Sequence, residues 1–279
     1  MGPEGVRFLC TGLQAYERTR LKRLKLSGHP LADDGLAEIV AAWREGNGAL
    51  DALEELSVRR CDLTDEGLVE MVKAGFLGHQ PALFGVDGAD GASGPATPPP
   101  PARLRRLSIG DNLLRGQNQA LPQLLDLGGS TSTLTRLDLN HNWGIGAEGL
   151  HSLLGLLGGG LRELKVGCGR PGQDSSRGDA MLRVVLEVAA PESPVLRDLR
   201  RLDIRHLDLS SAMITTELAA GLREGRFLRK LCQLELACGE VEGPGRAREE
   251  AAARMRSELI ESRRPLVFDV LTINRRGWL

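Results

Sequence analysis

The sequence predicts an α/β solenoid, a horseshoe with parallel strands on its concave face and helices on its convex face. Three observations carry that prediction. The phrase Leu-x-x-Leu-x-[Leu/Val/Ile] is written seven times, beginning at Leu21, Leu53, Leu104, Leu134, Leu161, Leu199 and Leu231. Within a copy the apolar spacing changes: Leu56 and Val58 are two apart, the strand period, whereas Leu68, Met71 and Val72 are three and four apart, the helix period. Aromatic residues make up only 3% of the chain, so the shared core is mostly leucine. A unit of one strand, one turn and one helix buries its apolar face only against neighbouring units, which is why the phrase recurs.

The elements follow in chain order. Glu4-Gly5-Val6-Arg7-Phe8-Leu9 reads like Glu66-Gly67-Leu68, so the chain opens on the helical half of an incomplete unit. This is the pattern expected of a piece of a longer array, or of a first helix that serves as a cap. The first full copy aligns with the second position for position, with His29 for Cys61, Leu31 for Leu63, Gly35 for Gly67 and Leu36 for Leu68, at an interval of 32 residues. From Leu53 to Leu104 the interval is 51 residues, and the excess lies at about 78–102. That insert contains GVDGADGASGPATPPPP, which cannot bury enough surface to offset its ordering entropy and is expected to be disordered. Its Pro98 to Pro101 favour polyproline II, a form that proline-reading domains bind. A shorter break, GCGRPGQDSSRGDA, follows the fifth strand and contains Arg177-Gly178-Asp179, a tripeptide that integrins read when it is displayed outside cells. Residues 1–241 are therefore assigned to the repeats. Residues 242–279 supply a last helix, with Ala252, Met255, Leu259 and Ile260 at helical spacing, and a closing strand over Leu266 to Leu271 that covers the end of the array.

This alternation resembles the long, helix-bearing, ribonuclease-inhibitor type of leucine-rich repeat, shared by cytosolic innate-immune receptors, Ran GTPase activators and tropomodulins. The resemblance spans about Gly2 to Val241. It implies that the position filled by Cys61, Asn112, Asn142 and Gly169 turns inward and ties the loop backbone. Asn112 and Asn142 can do so as donor and acceptor, and Cys61 as a weak donor. His29, Leu207 and Gly239 depart from that pattern, so looser loops are expected there. Gly35, Gly67 and Gly149 stand where a side chain would obstruct packing on the next unit, and Asp34, Glu66 and Glu148 precede them in the first helical turn, where negative charge is favoured.

Composition narrows the function. The formal net charge of -1 gives no global field for nucleic acid or an anionic membrane. The five cysteines, Cys10, Cys61, Cys168, Cys232 and Cys238, form no Cys-x-x-Cys pair, so neither a zinc site nor a disulfide framework is indicated and no cofactor is implied. Cys61 reads as a buried reduced thiol, with Cys168 and Cys238 at strand ends. No apolar leader stands at Met1, and no Asn-x-Ser/Thr acceptor exists in the chain. The cytoplasm is the expected compartment, the nucleus the alternative.

Three motifs suggest chemistry. Gly144-Ile145-Gly146-Ala147-Glu148-Gly149 is formally a dinucleotide-binding Gly-x-Gly-x-x-Gly, yet Gly149 already has a packing role and the unit lacks the partner crossover. Asp138 with His141, and Asp203 with His206, look like acid and base pairs, but residues three apart in a strand face opposite ways. Ran GTPase activators of this fold act catalytically, and some GTPase activators supply an arginine to the transition state; Arg115, in the loop after the third strand, could stand in that place, but no local motif transfers the role to it. A GTPase-activating regulator and a fragment of a larger innate-immune-type receptor are thus the alternatives to the main expectation.

That expectation is a non-catalytic scaffold binding a protein partner on the concave face. Residues interleaved with the leucines form two columns, Arg23, Glu55, Arg106, Arg136, Glu163, Arg201 and Gln233 in one, and Lys25, Ser57, Ser108, Asp138, Lys165, Asp203 and Glu235 in the other. Arg59, Asp111, His141 and Arg205 lie just past the strands. The expected contact set is Arg23, Lys25, Arg59, Arg106, Asp111, Arg136, Asp138, His141, Glu163, Lys165, Arg201, Asp203, Arg205 and Glu235. The bland alternative is a set of cross-strand ion pairs with no partner. The sequence leaves the oligomeric state open.

Overall fold

The computed structural model describes residues 1–15, 20–45, 49–78, 102–121, 132–157, 160–168, 175–193, 195–210, 212–238 and 270–275, with 253 and 257 as isolated helical positions. Helix α1 (Pro3–Gln14) begins on a proline, whose missing N–H is no loss at a helix start. There follow β1 (Arg23–Lys25), α2 (Ala32–Arg44), β2 (Glu55–Ser57), α3 (Asp65–Lys73), β3 (Arg106–Ser108), β4 (Arg136–Asp138), α4 (Ala147–Leu157), β5 (Glu163–Lys165), α5 (Ser175–Val188) and β6 (Arg201–Leu209). A π-helical turn (Met213–Leu218) runs into α6 (Ala219–Glu224), before β7 (Gln233–Cys238) and β8 (Val270–Arg275). The eight strands form one parallel sheet in chain order.

The core is a stack of equivalent leucines. Leu24, Leu56, Leu107, Leu137, Leu164, Leu202 and Leu234 stand in register on consecutive strands, and all are buried. Behind them the helices bury the predicted stripes, Leu36, Ile39 and Val40 on α2, Leu68, Met71 and Val72 on α3, and Leu150, Leu153 and Leu154 on α4. Trp43 and Phe76 meet edge to face at 5.1 Å between α2 and the turn after α3.

A polar spine runs through the leucine core. The Asn112 Oδ1 accepts the amides of Cys61 (2.9 Å) and Leu63 (3.2 Å), while its Nδ2 donates to the carbonyls of Val58 (2.8 Å) and Ile109 (2.9 Å). Asn142 repeats the device, accepting the Asn112 amide at 3.1 Å and donating to Ile109 and Leu139. The Cys61 thiol donates to the carbonyl of Leu26 at 3.3 Å. In the fifth unit the inward side chain is Cys168, one residue ahead of the expected Gly169; its thiol lies 3.6 Å from the Leu139 carbonyl. Gly169 and Gly239 lie outside the described residues.

Two loops expected to be loose are held. At His29 the turn is tied to the next unit by Gly28 N–H to Arg59 O (2.8 Å) and Ala32 N–H to Cys61 O (2.9 Å). At Leu207 the strand continues: β6 runs nine residues with an irregularity between Ile204 and Leu209, and Leu207 is buried as an ordinary core side chain. Backbone pairing supplies what the absent polar side chain would have.

The helix starts are joined from unit to unit. Asp33 accepts the Thr64 amide (2.9 Å) and hydroxyl (2.6 Å), and Asp65 accepts the amides of Arg115, Gly116 and Gln117 at 2.9 to 3.0 Å. Gly149 faces Gly116 across such a junction, where a Cβ on Gly149 would sit 2.0 Å from the Arg115 carbonyl oxygen. The Arg177-Gly178-Asp179 tripeptide lies inside α5 and is not displayed on a loop. Its arginine donates to the carbonyls of Trp143 and Ile145, both at 2.8 Å, and Asp179 accepts the Ser210 amide and hydroxyl.

The insert expected over 78–102 lies outside the described residues except for its two ends, as does most of the helix expected within 242–264. Strand β8 begins at Val270, opposite Gln233, and extends to Arg275. Of the closing strand expected over Leu266 to Leu271, Val270 and Leu271 fall in β8 and residues 266–269 lie outside the described residues.

Candidate binding face

The three-residue strands place each outward side chain by register. Arg23, Glu55, Arg106, Arg136, Glu163, Arg201 and Gln233 are successive partners, and so are Lys25, Ser57, Ser108, Asp138, Lys165, Asp203 and Glu235. The two predicted columns are therefore real columns on one face. Of the four residues past the strands, Arg59 and Arg205 occupy one level and Asp111 and His141 the next. The latter pair shares with Arg60 and Gly28 a left-handed backbone (φ 56, 63, 55 and 80° respectively), which turns the chain inward at that level.

The second column and the loop level beyond it form a neutralised half. Arg59 bridges Asp111 (3.1 Å) and Asp138 (3.6 Å), and Lys25 reaches Glu55 at 3.4 Å. Arg205 grips Asp203 with both Nε (2.9 Å) and Nη2 (2.8 Å) and also reaches Glu235 at 3.1 Å. Burial pushes the Asp203 carboxyl up, but the hydrogen bonds from Arg205, with the charges of Arg205 and Lys165, outweigh it and hold the group below the ordinary carboxylate range. His141 packs against His206 at 4.5 Å and edge to face with Trp143 at 5.1 Å.

The first column borders a hollow of about 830 Å³ that crosses β1 to β7. Within it Arg106 pairs with Glu55 (3.3 Å) and Arg136 with Glu163 (3.2 Å). The hollow is also lined by the residues just before the strands: Lys22, Glu54, Arg105, Thr135, Arg162, Arg200 and Cys232. The sequence reading omitted this third column. Its cause is a doubled hydrogen bond: from Lys22 to Arg200 the carbonyl of each such residue accepts two successive amides of the next unit, as Glu54 O does from Arg105 (2.9 Å) and Arg106 (3.0 Å). Two consecutive side chains are thereby turned to the same face. The signal was present in the repeat itself, since two inward leucines three apart leave both intervening residues outside.

Burial pushes the Cys168 thiol up to about 12 and the Cys10 thiol up to about 11, the nearby carboxylates of Glu38 and Glu45 adding to the second. Neither thiol is a nucleophile at neutral pH. Among the described residues, no group of three or more His, Cys, Asp or Glu side chains could hold a metal ion, and no helix is long and apolar enough to cross a membrane.

A family model described as Leucine Rich repeat matches residues 53–72 and 131–154, the β2–α3 and β4–α4 units. Comparison with curated proteins gives no match. Among solved structures, the tropomodulin C-terminal domain of Caenorhabditis elegans aligns at 12% identity over 92% of this chain and 92% of that one, with a TM-score of 0.30. The internalin InlF of Listeria monocytogenes aligns at 13% identity over 98% and 82%, with a TM-score of 0.22. The matched units, the recurring leucine phrase and the parallel sheet in chain order together make this chain an α/β leucine-rich-repeat solenoid.

Proposed function

We propose that the chain is a non-catalytic scaffold that holds a protein partner on its concave face. The observation that supports this reading best is the contrast within each strand: an almost invariant buried leucine at the centre, flanked by outward residues whose charge changes from unit to unit. Constancy serves the stack, and variation serves recognition. Exposed ion pairs contribute only about 0–1 kcal/mol each, so stability gives little reason for so many charges. Contacts are assigned to Arg23, Lys25, Arg59, Arg106, Asp111, Arg136, Asp138, His141, Glu163, Lys165, Arg201, Asp203, Arg205 and Glu235. A face rich in charge and poor in aromatic anchors favours salt-sensitive binding of modest affinity. The free buried thiols Cys10, Cys61 and Cys168 suit a reducing compartment, so we place the protein in the cytoplasm or nucleus.

The test is affinity capture by the purified chain beside two folded variants, one with Arg106, Arg136 and Arg201 changed to Glu on the concave face, the other with Lys73 and Arg183 changed to Glu on the convex side. Partners retained by the parent and the convex variant, and lost by the concave one, are the expected result. Identical partners for all three baits would remove the basis for the reading.

A further inference from the structure

We propose that the hollow along the strand starts is a cradle for an extended acidic segment of the protein partner. This rests on the protein-binding reading above and adds the chemistry of what is bound. The first observation is a charge division that the net charge of -1 conceals. Eight cations and three carboxylates line the hollow, an excess of five positive charges. On the other half of the face, Arg59 and Arg205 are taken up by Asp111, Asp138, Asp203 and Glu235, while Lys25 and Lys165 reach across to Glu55 and Glu163 of the hollow at 3.4 and 3.9 Å.

The second observation is what the cations lack. Arg23, Arg105, Arg200 and Arg201 make no ion pair with any carboxylate among the described residues. Arg106 and Arg136 are direct register partners, and the backbones of Arg162 and Arg200 are hydrogen-bonded across adjacent strands. Like charges placed opposite one another disfavour the isolated sheet. An anionic ligand turns that repulsion into attraction, and arginine presents a planar fork suited to carboxylates.

The third observation selects the kind of anion. Carboxylates interrupt the cationic track at Glu54 and Glu55 on one unit and Glu163 on another, where a uniform polyphosphate backbone would be repelled. The lining holds no Phe, Trp, Tyr or His, so unpaired bases would find no stacking platform. A polypeptide can change sign residue by residue and meet both. Six inter-strand spacings of about 4.8 Å give a track of about 29 Å, the span of about nine extended residues.

The experiment is selection from a displayed library of random peptides about nine residues long, followed by fluorescence anisotropy on the purified chain with an Asp/Glu-rich synthetic peptide and its Asn/Gln counterpart. We expect the selected pool to be enriched in Asp and Glu and the neutral counterpart to bind at least about tenfold more weakly. The acidic peptide should also lose about tenfold in affinity between roughly 0.05 M and 0.5 M salt. Combined Arg105→Gln, Arg200→Gln and Arg201→Gln should weaken it about tenfold without lowering the thermal midpoint, while the corresponding three Arg→Lys changes retain most of the binding. A neutral or apolar selected pool would overturn the proposal and leave a protein-binding face standing. It also falls if the Gln variant binds as the parent does, if no peptide is retained, or if an oligothymidylate of similar length binds more tightly than the acidic peptide. Identical capture by all three baits above would also overturn it, because Arg106, Arg136 and Arg201 line the hollow and their reversal to Glu removes its positive excess.

Discussion

Replacing Asn112 by Ala should be among the most damaging single changes in the array, and the structure allows its cost to be worked out bond by bond. Asn112 is 5% exposed and ties β2 to β3 through one side chain. Truncation removes the only acceptor for the Cys61 and Leu63 amides, and the only donor to the Val58 carbonyl, among the described residues. Ile109 O is not orphaned, because Asn142 Nδ2 also reaches it at 3.0 Å, and Gly110 O keeps the Arg60 amide at 3.2 Å. Three orphaned backbone groups, at about 1–1.5 kcal/mol each after partial relaxation, amount to about 3–4.5 kcal/mol. Asn112→Asp keeps the acceptor for the two amides but aims an anion at carbonyls, so it should be no milder near neutral pH. The assays are urea unfolding followed by circular dichroism, and native-state hydrogen exchange at the amides of Cys61 and Leu63. A midpoint equal to the parent's, or unchanged protection of those two amides, would refute the claim that this side chain organises the loop.

Other outcomes follow from the same geometry. Gly149→Ala, which sets a Cβ 2.0 Å from the Arg115 carbonyl oxygen, should cost about 2–3 kcal/mol in thermal or urea unfolding, whereas Gly146→Ala, with nothing within 4 Å, should be neutral; equal effects would mean that the Gly-x-Gly-x-x-Gly is not a packing motif. Arg205→Met leaves the buried Asp203 without its fork and should cost about 2 kcal/mol near neutral pH, allowing for the partial exposure of the pair. Because the folded Asp203 titrates below its ordinary value, the stabilising contribution is present above about pH 4 and fades as pH falls through the folded value, so the parent–variant gap should close in acid. A gap independent of pH would mean that the lost stability is packing alone. In the native state a thiol reagent at neutral pH should modify Cys232, which is partly exposed, well before Cys10, Cys61 or Cys168, as read by peptide mass mapping.

What the sequence revealed and what it withheld divide along a physical line. The leucine phrase specified the strands and their register because every unit must bury the same atoms against its neighbour, so one copy predicts the next. Side-chain alternation then yielded two of the three outward columns. It missed the third because period-two reasoning treats Arg105 and Arg106 as facing opposite ways, while the paired amides received by Glu54 O turn both outward. Inter-unit capping was hidden for a similar reason. The rule that acidic residues favour a helix start drew attention to Asp34 and Glu66, but the residues that bond across units are Asp33 and Asp65, and only the lateral offset between successive helices decides which of the two reaches. The division of charge was hidden by adding across the face. Lys, Arg, Asp and Glu nearly cancel over the whole chain, yet the doubled hydrogen bond at each strand start brings an additional residue into the hollow, and arginine is the commonest choice there. A net charge near zero therefore excludes a uniform field but not a local one. The residues between the leucines must be read as a pair before the electrostatics of such a face can be judged.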